Sequence, residues 1–187
     1  MRDVTSPSPL VPIRLLVLDV DGVLTDGGIS IDDLGRETKR FHVRDGAGIH
    51  MWLKLGLEVA IITGRNGMVV HHRARELGIA HVVSGSKDKG AAFLELCTKL
   101  QIAPKEAAML GDDLPDLCVM RECGFAIAVN DASAEVLAAA QMVTKACGGN
   151  GAVREVIEHL LRAQNRWDDA VRVFDPKHDA ARAGARS

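Results

Sequence analysis

Tyrosine is missing from this 187-residue chain, and with Phe (4) and Trp (2) the aromatic share is only 3%. The core must therefore be filled by Val, Ile, Leu and Ala, as in parallel sheets buried on both faces. Cationic excess is missing too: 23 Lys and Arg stand against 25 Asp and Glu, a net charge of -2. That balance excludes the basic footprint a nucleic-acid partner demands. No apolar run approaches the ~20 residues needed to cross a bilayer, so no membrane partner is expected. Cysteine is sparse, and Cys97, Cys118, Cys123 and Cys147 form no CxxC pair. They lie in apolar segments and read as buried thiols of a cytoplasmic protein rather than disulfides or a zinc site. The opening "MRDVTSPSPLVP" lacks the apolar stretch of a secretion signal and reads as a disordered leader over residues 1–12.

What is present is an alternation. At 47% apolar the chain suits one domain with a substantial core. Short apolar runs predict strands at Ile13–Val20, Leu57–Ile62, His81–Ser84, Ala107–Leu110 and Phe125–Val129, with an edge strand at Met142–Thr144. Between them lie amphipathic stretches. Phe93, Leu96, Cys97 and Leu100 share one face of a helix within Lys87–Leu100, and Val153, Val156, Ile157, Leu160 and Leu161 share another. The pattern predicts an α/β fold: a Rossmann-like parallel sheet with helices on both faces, spanning residues 13–164. One segment breaks the rhythm. Residues 27–43, "GGISIDDLGRETKRFHV", read as a β-hairpin flap turning at Asp32–Gly35. Residues 165–187 lose the apolar face and read as a flexible tail, ordered only against a partner.

In open α/β sheets ligands bind beyond the carboxyl ends of the strands. Here those ends carry the chemistry. The first strand runs into Asp19 and Asp21, the second into Thr63-Gly64-Arg65, the third into Lys87 and Lys89, and the fourth into Asp112 and Asp113. Two acidic pairs at one edge repel unless a cation sits between them. Hard oxygen ligands suit Mg²⁺, which is held by a few carboxylates plus a phosphate. A hydroxyl, a lysine and loop amides are what a phosphoryl group needs. A carboxylate can attack phosphorus, and a second one two residues on can exchange the proton.

The order "DVDGVLTD", "ITGR", a lysine and "GDD" resembles the four motifs of the haloacid dehalogenase (HAD) superfamily of phosphatases. Over roughly Ile13 to Gln164, "VRDGAGI", "EVAIITGR", "GDDLPD" and "GGNGAVREV" are similar to 3-deoxy-D-manno-octulosonate 8-phosphate (KDO 8-phosphate) phosphatases. The resemblance implies a capless HAD core and a Mg²⁺-dependent hydrolysis of a sugar-acid phosphate through an aspartyl-phosphate. It makes Asp19 the nucleophile and Asp21 the acid/base, with Thr63 and Lys89 on the transferring phosphoryl group. The metal falls to Asp19, the Asp21 carbonyl and Asp112, with Asp113 either a ligand or a support. Arg44, Asp45, Gly46, Arg65 and Arg73, beside Asp21 and Lys89, match positions that line the substrate pocket. His42 stands where that family carries Asn and His50 where it carries Arg; both are counted with the pocket, and they leave a nine-carbon sugar-acid 9-phosphate as an alternative substrate. The resemblance also implies a homotetramer whose hairpins associate. Against these stand plainer readings: Lys87 as a surface charge, Asp116 as a solvated first-turn acid, and Arg73 as a surface partner of Glu76 or Glu37. A receiver-type signalling module would carry its acidic pair and phosphorylated Asp in a different strand order, and intact motifs disfavour a non-catalytic module.

Overall fold

The computed structural model describes residues 12–178. Its centre is a six-stranded sheet of β1 (Leu15–Leu18), β4 (Glu58–Ile62), β5 (His81–Val83), β6 (Ala107–Gly111), β7 (Phe125–Ala128) and β8 (Met142–Val143). All pairs are parallel, in the order β5-β4-β1-β6-β7-β8, with β1 between β4 and β6. Every residue of β1 is buried, which is why that strand reads as an unbroken apolar run.

Alternation along the strands sorts the core into two layers. Leu16, Leu18, Val59, Ile61, Ala108 and Leu110 face α1 (Val43–Lys54), α2 (Met68–Leu77) and α6 (Ala152–Ala163). Leu15, Val17, Ala60, Ile62 and Met109 face α3 (Lys89–Leu100), α4 (Leu117–Glu122) and α5 (Ala134–Ala139). The stripe expected on α6 is fully inward, with Val153, Val156, Ile157, Leu160 and Leu161 all buried. A separate antiparallel pair, β2 (Ser30–Ile31) and β3 (Glu37–Thr38), forms the hairpin around its Asp32–Gly35 turn.

Two expectations are corrected. The first strand ends at Leu18 rather than Val20, because the chain leaves the sheet in a wide turn closed by Thr25 N–H donating to the Val20 carbonyl at 3.0 Å. The flexible tail is in part a helix, α7 (Trp167–Arg172). Ala170 is buried, Trp167 rests on the α1–α6 layer beneath Arg162, and Arg166 donates to the Leu55 carbonyl at 2.8 Å. So the chain's own core supplies the partner. The leader before residue 12 and residues 179–187 lie outside the described residues. Among the described residues no helix is long and apolar enough to cross a membrane.

Candidate active site

The carboxyl ends of β1, β4 and β6 open into a cleft of about 770 Å³ lined by Asp19, Asp21, Thr63, Arg65, Lys89 and Asp112. Asp19 is the first residue past β1, and its amide still donates to the Leu110 carbonyl at 3.3 Å. The last strand bond thus fixes where the carboxylate emerges. The turn beyond it needs a glycine: Gly22 has φ +91°, and a Cβ there would run into the Asp112 carboxylate. The loop at Gly148 and Gly149 presses on the same turn, with Gly149 N–H donating to the Val23 carbonyl at 2.9 Å. A Cβ on Gly148 would strike the Gly22 carbonyl, so "GGN" works as a backbone-to-backbone seat.

Lys89 opens α3, whose first turn is capped by Asp88 accepting from Ala91 N–H at 2.9 Å. Its ammonium is buried and reaches Asp19 Oδ2 at 3.0 Å and Asp116 Oδ1 at 2.7 Å. Burial works against the charge, but the two carboxylates outweigh it and hold Lys89 above its usual range. Lys87 is exposed on the cleft rim. Thr63, at the end of β4, is buried with its hydroxyl accepting from Arg65 N–H at 3.3 Å.

Asp116 is fully buried, which overturns its reading as a solvated acid. Pro115 starts a tight turn, Leu114–Asp116, that folds this carboxylate back under its own loop. There it accepts from Asp112 N–H at 3.0 Å as well as from Lys89. Asp113 is exposed; its amide donates to Asp116 Oδ2 at 3.4 Å, its carbonyl accepts from Asp116 N–H at 2.9 Å, and it stands outside the acidic cluster.

That cluster comprises Asp19, Asp112 and Asp116, each with an oxygen within 4.8 Å of the others. Three carboxylates face one ammonium. Asp116 has both oxygens engaged, whereas Asp19 Oδ1 and Asp112 Oδ1 are buried without a hydrogen-bond partner. Burial first, then the neighbouring carboxylate of Asp116, pushes Asp19 up to about 6. Burial followed by Asp19 and Asp116 pushes Asp112 up to about 7. Two buried, unpartnered carboxylate oxygens fit a divalent cation, which would favour the ionised form of both groups.

Other expected pocket residues are placed elsewhere. Asp45 is buried in α1 and accepts from Arg154 N–H at 2.8 Å, anchoring the start of α6. Burial lifts its pKa, the Arg154 bond opposing. His42 and Arg44 border a separate hollow with Asn150 and Arg154. Arg73 lies over the Phe41 ring at 5.7 Å, pairs with Glu76 at 2.9 Å and abuts Gly46. His50 is exposed, its ring 6.0 Å from that of Phe174. Gly46 and His50 do share a helix face, but that face turns to α2 and the C-terminal segment. Of the seven pocket positions added from the resemblance (His42, Arg44, Asp45, Gly46, His50, Arg65, Arg73), only Arg65 lines the cleft. Arg121 lines it unforeseen.

A parallel sheet with an acidic cluster, a lysine and a threonine at its carboxyl edge defines a hydrolase site for a metal-assisted phosphoryl group. The chain belongs to the haloacid dehalogenase-like hydrolases, whose family model matches residues 74–157, and to their KDO 8-phosphate phosphatase branch. It is 50% identical over 158 residues, 84% of each chain, to the KDO 8-phosphate phosphatase KdsC of Escherichia coli K12. The Moraxella catarrhalis KDO 8-phosphate phosphatase, solved in complex with magnesium, phosphate and KDO, superposes with a TM-score of 0.85 at 44% identity, over 89% of this chain and 95% of that one. The cobalt-bound phosphatase of Haemophilus influenzae gives 0.83 at 37% identity, over 86% and 94%.

Proposed function

We propose that this enzyme is a Mg²⁺-dependent phosphatase that hydrolyses KDO 8-phosphate to KDO and phosphate. The observation that carries the reading is the pair of unpartnered buried oxygens on Asp19 and Asp112 beside the Lys89 ammonium. The Moraxella relative's complex with magnesium, phosphate and KDO supports both the metal and the sugar acid. Asp19 and Asp112 carboxylates, with the Asp21 carbonyl, would hold the ion, which when bound neutralises charge on the phosphoryl oxygens.

The chain's own groups do the rest. Lys89 holds one Asp19 oxygen, and with Thr63 it takes phosphoryl oxygens. The Asp19 carboxylate attacks phosphorus through the oxygen that does not hold the ion, the P–O bond to the sugar oxygen breaks, and Asp21 gives the departing alkoxide its proton. Asp21 then takes a proton from water, which attacks phosphorus and releases phosphate, restoring the Asp19 carboxylate. Arg65, half-exposed in the lining of the cleft, would meet the sugar acid. Exposed Ile29, Ile31 and Leu34 on the hairpin support association into a homotetramer that narrows the cleft; an active monomer in light scattering would overturn that part. The test of function is a phosphate-release screen over sugar phosphates with Mg²⁺, including nine-carbon 9-phosphates. The highest kcat/KM is expected on KDO 8-phosphate, and a clear preference for another substrate would overturn the assignment.

A further inference from the structure

Asp21 stands apart from the acidic cluster. Its carboxylate is gripped from the hairpin side: Lys39 bonds Oδ1, and Arg65 Nε lies 3.6 Å from Oδ2. Lys39 is unusual, because its side chain is only 2% exposed on a flap that is otherwise largely solvated. Lysines are almost never buried unless paired. Here the pairing is double, since Nζ also lies 2.8 Å from Glu37 Oε1, and that oxygen accepts from Arg65 Nη2 at 3.1 Å. Glu37 and Lys39 are two residues apart, so an extended chain points both toward the cleft.

We infer that Lys39 is a positioning residue for Asp21, fixing from the hairpin the carboxylate that exchanges the reaction's proton. The inference rests on the proposed function, in which Asp21 serves the leaving group. Neither helix nor sheet fixes Asp21, whose backbone (φ -78°, ψ 115°) interrupts the turn after β1. Its side chain, 21% exposed, has freedom that the buried ammonium removes. A proton donor must sit within hydrogen-bond reach of the oxygen it serves, so lost orientation is lost rate. A lysine that merely clipped the hairpin down would make no such distinction among leaving groups.

The test compares two substrates. KDO 8-phosphate expels an alkoxide that needs a proton, whereas p-nitrophenyl phosphate expels a phenolate that leaves without one. The value of kcat/KM reports the steps through departure of that group. Lys39→Met, which keeps the apolar stem, and Lys39→Gln, a second variant should the first fold poorly, are assayed against the wild type on both. Expected is a fall of roughly 100-fold on the sugar phosphate and less than about 3-fold on the aryl phosphate in at least one folded variant. Equal losses on both substrates, or none on either, would overturn the positioning role. A wild type inactive on both would instead overturn the underlying function and the inference with it.

Discussion

Two charged clusters flank the same cleft, and they are built on opposite plans. Asp19, Asp112 and Asp116 surround a single lysine, deep in the molecule, with two carboxylate oxygens left unpartnered. Asp21 and Glu37 meet Lys39 and Arg65, charge for charge, nearer the surface. The first cluster, with its carboxylates ionised, carries two negative charges in excess, and the second is balanced as it stands. Imbalance of that kind inside a protein is tolerated only where a ligand completes it. On the proposed function, the comparison separates the half of the site that would take metal and phosphoryl group from the half that would exchange the proton and that ties the hairpin in place.

The largest effect expected is at the centre of the unbalanced cluster. Asp19→Asn removes the attacking oxygen's charge without changing its shape, so phosphate release should fall on the order of a thousandfold or more while the fold is kept. Substantial turnover by the pure variant would remove Asp19 from its role.

Stability should divide the clusters next. Asp116→Ala removes the shorter of the two carboxylate contacts on the buried Lys89 ammonium together with the acceptor of the Asp112 amide, and should cost about 3 kcal/mol in denaturant unfolding. Glu37→Ala, in the balanced cluster, should cost under about 1 kcal/mol, because Lys39 and Arg65 both keep Asp21 as a partner. Equal costs would dissolve the distinction.

Metal provides the third contrast. Chelation with EDTA should silence the enzyme and Mg²⁺ should restore it. At a hundred times its dissociation constant, Mg²⁺ should add about 2.7 kcal/mol of stability. Asp112→Asn should lose most of that gain, whereas Glu37→Ala should keep it. A melting temperature indifferent to Mg²⁺ in the wild type would show that the free oxygens serve something else.

The smallest effect is expected outside both clusters. Arg73→Ala should change kcat/KM by about twofold at most, and equally on KDO 8-phosphate and p-nitrophenyl phosphate, since this side chain faces Phe41 and Glu76. A loss confined to the sugar acid would return Arg73 to the substrate pocket.

Much of this plan is legible in the sequence. Parallel strands buried on both faces leave unbroken apolar runs, so the six strands of the main sheet announce themselves, and the residues just past each run fall at one edge. That places Asp19, Thr63, Lys89 and Asp112 together before any coordinates. Direction is what sequence does not carry. Asp116 comes after a proline in a polar turn and resembles a solvated acid, yet the turn folds it inward beneath its own amides. His50 and Arg73 sit at plausible spacings, but the one meets Phe174 and the other Phe41 and Glu76, and neither lines the cleft. Lys39 offers no periodic signal, since its burial depends on where a two-residue strand pair is laid over the sheet edge. Helix α7 is too short for a lasting apolar stripe; Trp167 and Ala170 find their places only because α1 and α6 have already formed one.

The most direct measurement is to look for phosphate on Asp19 itself. Asp21→Asn enzyme, slowed in the hydrolysis of the intermediate, is mixed with Mg²⁺ and p-nitrophenyl phosphate, whose leaving group needs no proton from Asp21, quenched in acid and mapped by mass spectrometry. A phosphorylated peptide containing Asp19, absent from Asp19→Asn enzyme treated in the same way, is the predicted result. Continued release of phosphate with no phosphorylated carboxylate at any quench time would mean that water attacks phosphorus directly, and that Asp19 serves only to hold the metal.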